Sequence, residues 1–414
     1  MRITITAAAA LLIASAAPLS AGLLEYNSYG NQIFSTGAAG QVANTRGLSQ
    51  ADAGHLANPA LAALAAPVAP AAPVAPAAPV EAQVSFQTSW RRETRNREVF
   101  DSYSNSVGLN TESVNSEIHY YLKSLSLGYA RKFGPLPRLG IGLGLAAEYD
   151  FDYVYHRETR DGFFALTRTD DIKGKGRIYG LTGSLACQPL PSIALGLGVT
   201  SLTGRQTVDQ AILMENPVTP DVTASTSGKY SGTRMNLGLW GALTNRLSLG
   251  LGLRSKAKLK ADVDFTAGDS SYTKARMVTY PGEYAAAVTY RPANTFPATV
   301  SLEYVYIPWN KLTDDLNPGL RLKAVNRYSV GITHVVADAV PLRFGISFAN
   351  SYVSNGIGLA SAGLGADFSL WKVKTQIAAS VGKRAYNLGQ AYGTNDPINV
   401  SETFADLAIT FGLR

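Results

Sequence analysis

Four cations stand two residues apart at Arg254, Lys256, Lys258 and Lys260, and three acids do the same at Glu148, Asp150 and Asp152. Residues two apart share a face of a strand, so each set forms a row. The basic row is a candidate for steering an anionic head group such as a carboxylate. The alternative is that both rows are solvated beyond a membrane or pair with each other across a lumen. Gly140, Gly142 and Gly144 repeat the same spacing. It places them on one face of a strand and not in a turn before a helix, which excludes a dinucleotide-binding loop. They either clear space for something packed on that face or weaken the strand and permit a kink. Asn58-Pro59-Ala60 joins a turn former to a residue that fixes the first turn of a helix. It reads as a cap, with direct ligand contact as the alternative.

Other chemistry finds little support. His55, His119, His156 and His334 are dispersed without metal-ligand spacing, and no Gly-x-Ser-x-Gly elbow is present. Cys187 is the single cysteine, which excludes a disulfide framework and a cysteine-based metal site. Neither enzymatic activity nor a metal or cofactor is expected. The formal net charge of +7 comes from 37 basic and 30 acidic residues of interleaved sign. No basic block with aromatics among it points to nucleic acid.

These residues need elements to hold them, and the chain supplies strands. Of 414 residues 46% are hydrophobic and 16% charged, with 39 glycines and 21 tyrosines, a β-rich profile. Mean hydropathy is +0.01, too high for a chain disordered throughout. Arg2, the apolar run Ala7 to Ala17 and the small residues near Ala21 read as an export signal over 1–21. The run is too short for a membrane helix, and no later stretch reaches the roughly 18 apolar residues one requires. Residues 22–64 are rich in Gly and Ala, Gly37 and Gly40 among them, and carry few charges. A repeated Ala-Ala-Pro-Val-Ala-Pro follows within a Pro/Ala-rich linker, 65–82. Proline at that density favours extended polyproline conformation.

From 83 to 414 the period is two. Leu247, Leu249, Leu251 and Leu253 alternate with Ser248, Gly250, Gly252 and Arg254, and the alternation runs on to Phe265. Leu139, Ile141, Leu143, Leu145, Ala147, Tyr149, Phe151, Tyr153 and Tyr155 form a second such face. Fourteen segments follow the pattern: 83–98, 116–132, 138–157, 172–187, 192–206, 228–244, 246–266, 273–291, 297–310, 323–337, 340–352, 357–370, 372–387 and 401–413. Short turns alternate with long polar gaps at 158–171, 207–227 and 388–400. This is the signature of a transmembrane antiparallel β-barrel of an outer membrane, an all-β fold. Its apolar faces must point to lipid, because side chains cannot fill the lumen that fourteen strands enclose. Tyr149, Phe151, Tyr153 and Tyr155 would then form an aromatic girdle at the outer interface. The wide lumen calls for a plug, for which residues 22–64 are the candidate.

Near the N-terminus stand Phe34-Ser35-Thr36-Gly37-Ala38-Ala39-Gly40, Ala51-Asp52-Ala53-Gly54 and Asn58-Pro59-Ala60. Farther on come Tyr280-Pro281-Gly282-Glu283-Tyr284 and Leu302-Glu303-Tyr304-Val305-Tyr306 followed by Trp309-Asn310-Lys311-Leu312. In these motifs the chain resembles the long-chain fatty acid transporter family of outer-membrane proteins (FadL-type). The resemblance implies a 14-strand barrel plugged by an N-terminal hatch and passing hydrophobic or amphipathic molecules inward, with sideways exit at a kinked third strand. The partners so implied are the outer-membrane bilayer of a Gram-negative-type envelope, a hydrophobic small-molecule ligand and, during biogenesis, the barrel-assembly machinery; a monomer is expected. A secretion-associated or structural barrel and a general porin are the alternatives.

Overall fold

The computed structural model describes residues 29–33, 54–64, 80–100, 103, 105–132, 138–161, 163–216, 218–293, 298–336, 340–354, 356–370, 373–387 and 398–413. The expected signal, Gly37, Gly40 and the Ala/Pro repeat lie outside the described residues. The wall consists of fourteen strands. Eleven are continuous: Val80–Phe100, Ser106–Lys132, Leu166–Leu190, Ile193–Met214, Val222–Ala242, Ala298–Ile307, Val325–Val336, Val340–Asn350, Ile357–Leu370, Val373–Asn387 and Asn399–Leu413. Three are interrupted: the third (Arg138–Asp150, Tyr153–Arg160), the seventh (Leu247–Arg254, Ala257–Ala267) and the eighth (Ser270–Tyr280, Glu283–Tyr290). Every neighbour pair is antiparallel, and the last strand closes on the first from Leu413 opposite Ala82 to Asn399 opposite Asn96.

Closure follows from the faces. Leu195, Leu197, Val199, Leu237, Leu251, Leu253, Ile346 and Leu364 are exposed on the outside, while Ser184, Thr200, Asn236 and Ser329 are buried within. In water that arrangement would be inverted; in lipid it is the stable one. The barrel is therefore an outer-membrane barrel.

Strand boundaries differ from the sequence expectation at the outer end. The gap 158–171 is mostly the paired ends of Tyr153–Arg160 and Leu166–Leu190, and 207–227 is mostly the hairpin of Ile193–Met214 with Val222–Ala242. Apolar alternation stops at the membrane boundary, but backbone pairing does not. The first strand also starts at Val80, inside the stretch expected as linker.

Among the one-residue bulges of the wall, two correct an expectation. In the third strand Ala147 lies opposite Tyr179 but Tyr149 lies opposite Ile178. The extra residue, Glu148, turns the odd positions that follow from lipid to lumen. Tyr149, Phe151 and Tyr155 are consequently buried inside the barrel and form no outer girdle. Aromatics on the outer face come instead from Tyr284, Tyr304, Tyr328 and Phe348, with the Tyr304 and Tyr328 rings 5.2 Å apart. In the seventh strand Arg254 lies opposite Asn236 but Lys258 lies opposite Thr233, so one residue is again extra. Ser255 holds this bulge: its amide donates to the Met235 carbonyl at 2.8 Å, and its Oγ accepts from the Met235 amide at 2.9 Å. Arg254 therefore faces the lumen, while Lys256, Lys258 and Lys260 are exposed on the outer surface. Ala257, Leu259, Ala261 and Val263 take the buried side. The four cations are therefore not one lumenal row: Arg254 alone of them faces the lumen.

In a Cys187→Ser background, Lys260→Cys should react in intact cells with a membrane-impermeant maleimide, whereas Val263→Cys should not. The reversed labelling pattern would refute the bulge. Folded protein should also migrate differently on gels before and after heating.

Candidate functional site

Residues 54–64 lie against the inner wall as two short 3-10 turns, Gly54–Leu56 and Pro59–Leu64. Asn58 starts the second turn. Its Oδ1 accepts from the Ala60 amide at 3.1 Å, its carbonyl accepts from the Leu61 amide at 3.0 Å, and Pro59 holds the first helical position. This is the capping geometry that Asn-Pro favours. Asn58 also ties the turn to the wall, with Nδ2 donating to the Leu239 carbonyl at 3.1 Å.

The wall receives this segment at glycines. A Cβ on Gly140 would stand 2.1 Å from the Ala62 carbonyl oxygen, one on Gly142 2.6 Å from the His55 ring, and one on Gly144 2.4 Å from Leu56. Gly196 and Gly238 do the same for Ala60 and Asn58, at 2.2 Å and 2.0 Å. Pairing with the second strand runs without a register shift from Lys132–Arg138 to Ser124–Ala146, so the three glycines of the third strand lie in a regular ladder. The irregularity falls beyond them, at Glu148. The register shift therefore lies beyond the glycines, which stand where the inner segment approaches the wall most closely.

Glu148 points inward and collects two arginines. Arg234 approaches its carboxylate at 2.5 Å and Arg254 at 3.3 Å, and Arg254 also donates to the Leu56 carbonyl at 3.1 Å. This links the third, sixth and seventh strands to the inner segment. Of the two charged rows in the sequence, only Glu148 and Arg254 meet.

Beyond Ala146 the third strand leaves the second. Its freed edge is taken by a piece of the N-terminal chain: Asn31 pairs with Asp150, Gln32 with Tyr149, and the Ile33 amide donates to the Glu148 carbonyl at 2.9 Å. Side chains anchor this piece elsewhere. Tyr29 donates to Asp314 at 2.7 Å, Gln32 to Glu283 at 2.6 Å, and Arg384 donates to Asn31 at 2.9 Å. Gly30, at φ +73°, sits against Tyr149 and Phe151 in the left-handed conformation that glycine permits. Between the parted strands lies an ionic cluster. Asp150 is paired with Arg91 and Arg177, each at 2.9 Å, and Arg177 reaches Asp152 as well. The Arg177 guanidinium covers the Tyr121 ring at 4.1 Å, and His119 lies 3.6 Å from Asp152.

Toward the long hairpins the interior holds an aromatic cluster beside its buried ion pairs: Tyr149 and Tyr280 are 4.5 Å apart, Tyr280 and Trp309 6.0 Å, and Trp309 stacks on Tyr352 at 4.8 Å. Toward the short turns lie the apolar contacts of Ala60–Leu64 with Ala186 and Ala194 and buried polar side chains, among them Ser301, Ser329, Arg343, Asp367 and Thr410. A cavity of about 90 Å³ separates Asn31–Ile33 from the wall, lined in part by Arg91, Tyr121, Arg384 and Phe404.

Sequence reasoning missed Tyr29, Gln32 and Arg234, whose partners are distant in the chain. Gly196 and Gly238 carried a usable signal, since both interrupt leucine-bearing alternation as Gly140 does.

Several solved structures share this fold. A Pseudomonas aeruginosa FadL homologue aligns over 93% of this chain and 99% of its own at 14% identity, with a TM-score of 0.62. The Ralstonia pickettii toluene transporter TbuX aligns over 92% and 99% at 12% identity, TM-score 0.60. The P. putida toluene transporter TodX aligns over the same shares at 12% identity, TM-score 0.57. No family profile and no curated protein sequence matches the chain.

Gly140→Ala should collide with the Ala62 carbonyl and destabilise the barrel by about 1–3 kcal/mol. Gly183→Ala, whose Cβ would meet nothing within 4 Å, should be neutral. The temperature of the gel-mobility shift reads both, and equal shifts would refute the close fit. His55 offers a pH test. Burial lowers its pKa to about 4 from 6.5, and its Nε2 is buried without a partner. Its neutral form therefore stabilises the fold fully above about pH 6.5. As pH falls toward 4 the unfolded chain binds the proton first, and that stability is lost. Heat resistance should drop across this window and drop less in His55→Gln; an unchanged pH profile would refute the assignment.

Proposed function

We propose that this barrel passes hydrophobic or amphipathic small molecules, of long-chain fatty-acid-like character, passively through the outer membrane. Residues 22–64 act as its plug, and exit is sideways between the second and third strands. The observation that carries the reading is the parting of those strands beyond Ser124 and Ala146, next to an aromatic interior. An apolar molecule gains by leaving water for that interior. Continuing among buried charged and hydroxyl groups would strip their partners without replacing them. The break in the wall offers a shorter path to lipid, at the cost of opening one ionic cluster. The N-terminal strand at Asn31–Gln32 and the Asp150–Arg177 pair occupy the break and would have to shift as a ligand passes. The similar structures described as toluene transporters, and CymD, a monoaromatic hydrocarbon channel with TM-score 0.53, support the ligand class.

Deletion of residues 22–64, keeping the signal and the barrel, should leave an inserted protein with raised ion conductance and lost uptake of apolar solute. Planar-bilayer recording and uptake of a radiolabelled long-chain fatty acid and of toluene provide the readouts. A truncated barrel that conducts no more than the full chain would refute the plug. A full chain that conducts like an open pore would favour a general porin.

A further inference from the structure

The outward faces of the fourth to seventh strands change character in one order. On the fifth strand Leu195, Leu197 and Val199 are followed by Ser201 and Thr203, and then by Arg205. On the sixth, taken toward the same end, Leu237 and Met235 give way to Thr233 and Ser231, and then to Lys229. The fourth passes from Leu185 and Leu181 through Tyr179 to Lys175 and Lys173. The seventh passes from Leu251 and Leu253 through its bulge to Lys256, Lys258 and Lys260.

Register makes this one surface. Lys258 lies opposite Thr233, which lies opposite Ser201; Lys260 lies opposite Ser231, which lies opposite Thr203; Lys229 lies opposite Arg205. A tilted strand crosses lipid in about 9–11 residues. Counted from Ile193, that crossing ends near Thr203, so the cations begin where hydrocarbon stops. Lys173, Lys175, Arg205, Lys229, Lys256, Lys258 and Lys260 are all exposed, and none forms an ion pair among the described residues. Six exposed acids, Asp209, Glu215, Asp221, Asp262, Asp264 and Asp269, share the hairpin ends, all farther from the leucines than Lys260 and with Asp262 directly opposite Lys229, so the cationic band is the one nearest the leucines. By contrast, the first and thirteenth strands each present a single outward cation directly above their apolar residues, Arg92 and Lys383.

We propose that this arc binds the phosphate groups of a phosphorylated glycolipid in the outer leaflet, with the acyl chains lying on the leucines below. Cations at the hydrocarbon boundary meet head groups and not solute in transit. Neighbouring strands lie about 4.8 Å apart, so the basic side chains of several strands reach one head group together. Anionic lipid attracts each such cation, an interaction that salt screens. The bulge at Ser255 is what turns the three lysines of the seventh strand toward the membrane.

The test uses the full-length protein in phosphatidylcholine nanodiscs, titrated with fluorescent bisphosphorylated lipid A. The variant Arg205→Gln/Lys229→Gln/Lys258→Gln/Lys260→Gln should bind at least tenfold more weakly, and Arg92→Gln/Lys383→Gln should bind like the parent. Dephosphorylated lipid A should bind weakly to the parent, and raising NaCl from 0.05 to 0.5 M should weaken binding of the phosphorylated form. The salt and dephosphorylation arms need only the parent protein, so they stand even if the fourfold variant does not fold. Parent-like binding by a folded fourfold variant, equal binding of dephosphorylated lipid, or salt-independent binding would each overturn the proposal. Full displacement by millimolar inorganic phosphate would overturn it in favour of a free-phosphate site.

Discussion

Hydrocarbon offers no partner to a backbone N–H or C=O, so each such group of a chain in lipid must pair within the protein. Everything else in this barrel is arranged around that demand. Fourteen antiparallel strands meet it by closing Asn399–Leu413 onto Val80–Phe100. Closure then creates a second demand, because a ring of that size encloses more space than its own inward side chains fill. Within that space the inner turn at Pro59–Leu64 lies against the wall, and Asn31–Gln32 pairs with the third strand.

Two irregularities of the ladder carry the distinctive chemistry. At Glu148 an extra residue ends the partnership of the third strand with the second, and Asn31–Gln32 supplies the missing hydrogen bonds. At Ser255 an extra residue keeps both neighbours paired but exchanges the faces of the strand. The first bulge moves aromatic rings from lipid to lumen; the second moves lysines from lumen to membrane surface. Opposite Ser255, the eighth strand breaks at Pro281-Gly282, where a Cβ on Gly282 would stand 2.7 Å from the Arg254 carbonyl oxygen. Both strands of the hairpin thus change face at the same level.

Buried charge inside the barrel is held in pairs that join strands, some adjacent and some distant. Glu148 with Arg234 and Arg254, Asp150 with Arg91 and Arg177, and Asp367 with Arg343 each span strands. Such pairs contribute modestly to net stability, yet removing one partner leaves an uncompensated buried charge and costs about 3–5 kcal/mol. They therefore specify the arrangement of the interior more than they strengthen it. Arg254 shows this most directly, since it binds both Glu148 and the backbone of the inner segment at Leu56.

Strand number, the short-turn end and the lipid-facing residues short of the bulges were legible in the sequence, because a two-residue period against lipid leaves an apolar residue at every second position. The cap at Asn58-Pro59 was legible for a similar reason: it is local, made by neighbours in the chain. Period two is also blind to a single inserted residue. Across Glu148 and across Ser255 the one-dimensional pattern continues smoothly, and only register against Ile178 and Thr233 reveals that the faces have exchanged. The purpose of Gly140, Gly142 and Gly144 was likewise undecidable from spacing, since a weak strand and a close approach both call for glycine. Ala62, His55 and Leu56, brought against them from more than seventy residues earlier in the chain, decided it. The sequence alone determined the faces of each strand segment; the tertiary structure decided which way each face points, because direction is a property of pairing and pairing is not local.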